Sequence, residues 1–266
     1  TAPSTLKNCL ITENTAGHLG GGISSSSYAR PEIRNCTIAG NMAAGLVNGS
    51  GFGGGLHLSY GSYAFVVDSI IWDNLTAPGD PNNTGDQIAL FGGGDAPAFS
   101  RHAGLDIRHS NIGPPTSLTR TDKGQPIHVD TGSTVLGWDI VNEVWDPATG
   151  NISQDPLFTQ GLIGQYYLSQ FGAGQAAQSP SVDTGTADVE DPNVVLVGYT
   201  TSTDDHPDTG FVDMGYHFPI LTFFRLVVDV VPVPNPDDPS AVITPGEVDP
   251  NVAFVYEEIG NNQIVL

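Results

Sequence analysis

Positive charge is scarce in this chain. Eight Lys and Arg stand against 29 Asp and Glu, a formal net charge of −21 over 266 residues. A phosphate backbone or an anionic membrane surface would be repelled, so neither nucleic acid nor lipid is an expected partner. Long apolar runs are also missing. The longest, 220–233, carries Arg225 and Asp229 and falls short of the roughly 18 residues of a membrane span, which argues against membrane insertion. Cysteine is limited to Cys9 and Cys36, which cannot make a disulfide framework. Helical periodicity is lacking too. Gly and Pro, 33 and 20 residues, interrupt every window in which a 3.6-residue pattern could develop. Residue 1 is Thr and no leader pattern remains, which reads as a processed chain or a piece of a larger one. The acidic balance suits a protein working outside the cell, secreted or at its surface, with divalent cations as natural counter-ions.

What the chain has is repetition. "NCLITEN" at 8–14, "NCTIAGN" at 35–41 and "DSIIWDN" at 68–74 align, with Ile11, Ile38 and Ile71 fourth and Asn14, Asn41 and Asn74 seventh. A weaker copy begins at His109. The glycine triplets Gly20–Gly22 and Gly53–Gly55 follow the first two copies and are offset from one another by 33 residues. Short runs of Val, Ile, Leu and Phe between them read as strands. An irregular period near 30 fits a solenoid whose coils carry about three short strands and loops of variable length. The seventh-position Asn would stack along the axis, exchanging side-chain hydrogen bonds and supplying left-handed corners. The glycines would supply positive φ. Cys9 and Cys36 share a repeat position, so they would lie about 4.8 Å apart along the axis. A disulfide or a metal pair is one reading of that stack. A column of small buried hydrophobes is the favoured one, because no His or Asp sits at ligand spacing.

"NCTIAGN…GFGGGLHLS…VVDSIIWDN" resembles secreted bacterial right-handed parallel β-helix repeat proteins of the pectate-lyase-like superfamily. "SQDPLF" at 153–158, "QYYLS" at 165–169, "SPSVDTG" at 179–185 and "PDTGFVDMGYHF" at 207–218 are similar to the segment that closes such helices. The resemblance implies an all-β right-handed parallel β-helix over 1–218, with a closing segment from about 153. It implies an extracellular location but no particular reaction. An apolar strand and a Pro/Asp linker would follow at 219–240. Residues 241–266 would start an immunoglobulin-like β module, or their tail "NNQIVL" would add a strand to a neighbouring subunit.

Two enzyme chemistries occur on this fold. A polysaccharide lyase needs a base and a cation, and a glycosidase needs a pair of carboxylates. Candidates concentrate in "SRHAGLDIRHS": Arg101, His102, Asp106 and Arg108, with Asp106 and Arg108 on one strand face and Ile107 and His109 on the other. The family's lyase pattern and its "NTD", "DD", "GHG", "RIK" series are absent at corresponding positions, so a surface strand with local ion pairs is the favoured reading. The loop "STDDHPDTGFVD" offers Asp204, Asp205, Asp208 and Asp213 to a structural Ca2+, against an alternative in which they cap turns. Five N-x-S/T sequons occur, at Asn35, Asn48, Asn74, Asn82 and Asn151. The expected function is a non-catalytic extracellular scaffold: a surface-layer, matrix or adhesion component able to self-assemble with other surface-protein subunits. The alternative is a polysaccharide lyase, a hydrolase or a glycan-binding protein using a groove on the helix.

Overall fold

The computed structural model describes residues 4–46, 51–77, 85–92, 102–113, 127–130, 132–139, 142, 144–220, 234–235 and 238–242. The chain divides into two units, 1–221 and 222–266.

The first unit is a parallel β-helix built from four sheets rather than three. The first sheet stacks Thr5–Lys7, Glu32–Arg34, Tyr63–Val67, Gly104–Arg108 and Thr134–Leu136. The second stacks Leu10–Thr12, Thr37–Ala39, Ile70–Trp72 and Asn111–Ile112. The third holds three two-residue strands, Thr15–Ala16, Met42–Ala43 and Leu75–Thr76. The fourth stacks Ile23–Ser25, Leu56–Ser59, Ile88–Phe91 and Ile127–Val129. Two-residue strands are too short to show alternation, which is why the third sheet is invisible in the sequence.

Register places like on like. Leu6, Ile33, Val66 and Ile107 form one column, Ile11, Ile38, Ile71 and Ile112 another, and Ile23, Leu56, Ile88 and Ile127 a third. These columns meet in one core. Truncating a fully buried Ile or Leu there to Ala costs about 2–5 kcal/mol.

Polar side chains follow the same rule. Asn14 Nδ2 donates to Asn41 Oδ1 at 3.0 Å, Asn41 Nδ2 to Asn74 Oδ1 at 2.9 Å, and Asn74 Nδ2 to Gln87 Oε1 at 2.9 Å. Each acceptor oxygen also takes the backbone N–H of the same residue whose side-chain amide it accepts. The expected Asn stack is therefore present, but the left-handed corners are elsewhere. Positive φ falls at Asn8, Asn35, Asp68 and His109, and again at Glu13, Gly40 and Asp73, one residue before each ladder Asn. The ladder residues keep ordinary backbone so that their amides can align.

A second ladder uses Cys9, Cys36, Ser69, Ser110 and Asn151. Each side chain donates to the carbonyl two residues before it or, from Asn151, to that of Ile107. The N–H of Cys36 donates to Ser69 Oγ, that of Ser69 to Ser110 Oγ, and that of Ser110 to Asn151 Oδ1. Both cysteines are free thiols. Burial beside Cys9 pushes the Cys36 thiol up to about 12, so it is inert as a nucleophile.

Within each glycine triplet only the first residue needs positive φ, Gly20 and Gly53. The others are required by proximity. A Cβ on Gly54 would lie 2.3 Å from the Leu75 carbonyl oxygen and 2.5 Å from that of Asp86. One on Gly55 would lie 2.8 Å from Asn74 Nδ2. The triplets let the coils close on the Asn ladder.

Residues 153–220, which include the closing segment, run lengthwise along the flank of the helix as a strap. At the first coil Lys7 Nζ donates to the Asn193 carbonyl, and Asn8 exchanges hydrogen bonds with His217 backbone. At the second, Thr37 Oγ1 accepts the Tyr216 N–H. At the third, Asp68 accepts from the Thr186 N–H and Oγ1, both at 2.8 Å. At the fourth, the His109 ring meets the Thr184 carbonyl and Asn111 donates to Gln154 and Ser181. The strap has its own apolar cluster of Val189, Val194, Leu196 and Val212. Met214 and Leu168 pack on Ile70. Past the fourth coil, Trp138 and Trp145 meet with tilted rings, centroids 4.8 Å apart, in a short antiparallel pair against the core.

In the second unit, Pro234–Asn235 pairs antiparallel with Asp238–Val242, across the boundary expected between the linker and the β module. The segments 221–233 and 243–266, with the anticipated module and the "NNQIVL" tail, lie outside the described residues.

Candidate functional site

Strand alternation turns Trp72 away from the core because Ile71 points into it. Beside Trp72 lies Asp73, whose positive φ turns the chain out of the second sheet. The strap crosses this corner. It contributes Asp155, Leu157, Phe158 and Tyr166, enclosing with Ala39 and Gly40 a groove of about 480 Å³. Phe158 and Tyr166 meet edge to face, with centroids 5.1 Å apart. Gln165 Nε2 and the Tyr166 hydroxyl donate to Glu13 Oε1, at 2.7 and 3.3 Å, which fixes that wall to the first coil. Burial holds the Asp73 carboxyl above the usual range. Burial, then the Glu13 charge, does the same to the Tyr166 phenol. Aromatic faces for apolar rings and carboxylates for hydroxyls are the chemistry by which proteins hold sugars.

Of the lyase-like candidates, Arg101 lies outside the described residues. His102 is exposed. Asp106 and Arg108 do share the outer face of the first sheet, but they bind one another, Nε to Oδ1 at 2.8 Å and Nη2 to Oδ2 at 3.1 Å. Arg34 and Glu32 pair likewise on the strand two away in the same sheet. These groups sit apart from the groove. His109 does not point opposite Arg108 as strand alternation predicts, because the strand ends there in a left-handed corner.

The loop carboxylates divide. Asp208 and Asp213 converge with Asp183, each offering an oxygen within 4.8 Å of the others. Asp204 instead binds Ser202 and His206. Those contacts outweigh its burial and hold it below the carboxylate norm. Asp205 is not part of the cluster. Asp183, 25 residues before Asp208 in sequence, lies beyond any local motif, and only the fold of the strap brings it in.

Asp213 is buried and accepts from the Asp183 N–H at 2.7 Å and from the Thr201 hydroxyl. Burial, reinforced by Asp208, pushes its carboxyl up to about 7. Asp208 Oδ2 lies 2.9 Å from Nε2 of the fully buried His217, whose Nδ1 donates to the Gly215 carbonyl. A cavity of about 300 Å³ opens onto Asp183, Asp208 and Asp213.

Asn35, Asn74 and Asn151 are buried in the helix, so their sequons are not open to a glycosylating enzyme. Asn48 and Asn82 lie outside the described residues.

No curated protein and no solved structure matches the chain. A family model described as the right-handed β-helix region matches residues 4–95, the stretch that carries the first three coils.

Proposed function

We propose that this protein is a non-catalytic scaffold of the extracellular space or cell surface. One observation carries the reading: the strap bonds to all four coils in succession, through Asn8, Thr37, Asp68 and His109. Stacked coils contact only their neighbours. A lengthwise strap adds the resistance to unstacking that a load-bearing element needs. The paired state of Asp106 and Arg108 on an open sheet face supports the same reading. The test is turnover. Plant, algal and bacterial polysaccharides should give neither unsaturated ends nor new reducing ends with the purified chain. Cleavage that disappears in Asp73→Asn or Asp155→Asn would overturn the reading.

The groove favours a second reading, a glycan-binding protein, because Trp72, Phe158 and Tyr166 line it together with two carboxylates. Trp72→Ala should then abolish binding to an oligosaccharide array without changing the melting temperature. In either reading a structural Ca2+ would belong with Asp183, Asp208 and Asp213 rather than with Asp204 and Asp205.

A further inference from the structure

All described Lys and Arg residues, Lys7, Arg30, Arg34 and Arg108, lie on or beside the strands of the first sheet. Glu32 and Asp106 are the acidic residues on those strands, and they are spent on Arg34 and Arg108. Arg30 lies over the Tyr63 ring at 5.2 Å, and Lys7 holds a backbone carbonyl. The face therefore keeps an excess of positive charge on a chain of net charge −21. Phe65 and Leu136, 42% and 46% exposed, stand on the same face.

The strap is the opposite. Residues 153–220 contain nine Asp and Glu and no Lys or Arg. Asp188, bridged to Phe211, and Glu190 are exposed. Val195, Val197 and Phe211 are 66%, 70% and 58% exposed. Val195 holds a left-handed backbone (φ 56°) that a β-branched residue resists, and its side chain stays in solvent. Each patch thus joins exposed apolar groups to a net charge, and the two net charges are opposite in sign.

We propose that the outer face of the first sheet docks on the acidic strap of a second copy of this chain. The contact joins two different patches of one molecule. It is heterologous and does not close on itself, so copies add side by side into an open array. This rests on the scaffold reading and names its partner as the protein itself. Attraction between exposed charges sets the association rate and makes the contact salt-dependent.

The experiment is sedimentation velocity over a concentration series. In about 0.02 M salt the mass should grow with concentration, and in about 0.5 M salt, where screening cuts exposed attractions to a few ångströms, it should return to that of one chain. The double variant Arg30→Glu/Arg108→Glu, which leaves the Lys7 contact with the strap intact, should remain a single chain in low salt, and so should Asp188→Lys/Glu190→Lys. A mixture of the two should associate again, because reversed face meets reversed strap. Circular dichroism melts keep folding separate from docking. A wild-type chain that stays single at low salt overturns the proposal, as does association that salt or the reversals leave unchanged. So does a single chain that binds polygalacturonate through the same four cations. None of these results touches the turnover test, so docking can fail while the scaffold reading stands.

Discussion

In the coils, a buried polar side chain meets its counterpart one coil away: Asn41 between Asn14 and Asn74, Ser69 between Cys36 and Ser110. In the strap it meets something unlike itself: Asp213 a threonine hydroxyl and a backbone N–H, Asp208 a histidine, Asp68 the strap residue Thr186. The two ladders of the coils are satisfied by repetition of neutral groups, whereas the strap is held largely by carboxylates, which titrate. The two regions should therefore tolerate different insults.

The largest effect is expected where coils approach most closely. Gly54→Ala places a methyl group against two backbone oxygens of the next coil, those of Leu75 and Asp86, at 2.3 and 2.5 Å, where backbone cannot yield. That variant should fail to fold, seen as loss of the β signal in circular dichroism. Asn74→Ala is the milder break. It strips acceptors from the Asn41 N–H and Nδ2 and a donor from the Ile38 carbonyl. Asn41 Nδ2 keeps the Ile11 and Ala39 carbonyls, so two buried groups lose a partner at about 1–3 kcal/mol each, and urea unfolding should show a loss of at least about 2 kcal/mol with an unchanged m-value.

The coils were readable in the sequence because repetition writes each contact several times. Ile11, Ile38 and Ile71 at one position and Asn14, Asn41 and Asn74 at another give both the core column and the ladder. The corners were misassigned to the ladder Asn because left-handed geometry and amide stacking favour the same residue type, and the structure gives the first task to the residue before. The strap was recognisable as a segment but its path was not. Its bonds join residues up to 209 positions apart, as between Asn8 and His217, and no local pattern encodes them. The groove was hidden for the same reason, since Trp72 and Tyr166 meet only when the strap is laid down. Asp208 and Asp213 were legible as an acidic loop, and Asp183 was not.

Opposite responses to pH would sharpen the contrast. Burial lowers the His57 imidazole to about 4, beneath Phe91 in the fourth sheet. Its folded pKa lies below its unfolded value, so its contribution is present above about 6.5 and is lost as pH falls through 4. It amounts to about 3 kcal/mol at most. His57→Phe keeps a ring against Phe91, and its urea midpoint should fall less between pH 7 and 4.5 than that of the wild type. Asp213 works in the other direction. Its folded pKa, about 7, lies above the ordinary 3.8, so the stability it contributes below 3.8 is lost as pH rises through 7. Amides of Gly185, Met214 and Gly215, which pin the strap, should show smaller protection factors in hydrogen exchange at pH 8 than at pH 5. Asp213→Asn should level them. Adding Ca2+ at pH 8 should restore the wild-type protection and leave Asp213→Asn unchanged. If calcium does nothing at pH 8, the carboxylates are held by hydrogen bonds alone.

The smallest effect is expected on the open face of the first sheet, which belongs to neither regime. The Arg108 side chain is 59% exposed and its bonds run to Asp106 on its own strand. Water replaces such a pair at little cost, and removing it leaves no buried group without a partner. Arg108→Ala should therefore melt with the wild type and retain the wild-type hydrogen-exchange pattern in both coils and strap. Asp68→Ala makes the informative pairing with it. Asp68 also accepts two bonds at an outer corner, but from the strap rather than from its own strand. Its loss should raise exchange at Gly185 and Gly215 while the Asn ladder amides stay protected. If Arg108→Ala loosened the strap as much as Asp68→Ala, the flank and the open face would be energetically coupled, and the separation of coil, strap and face would be wrong.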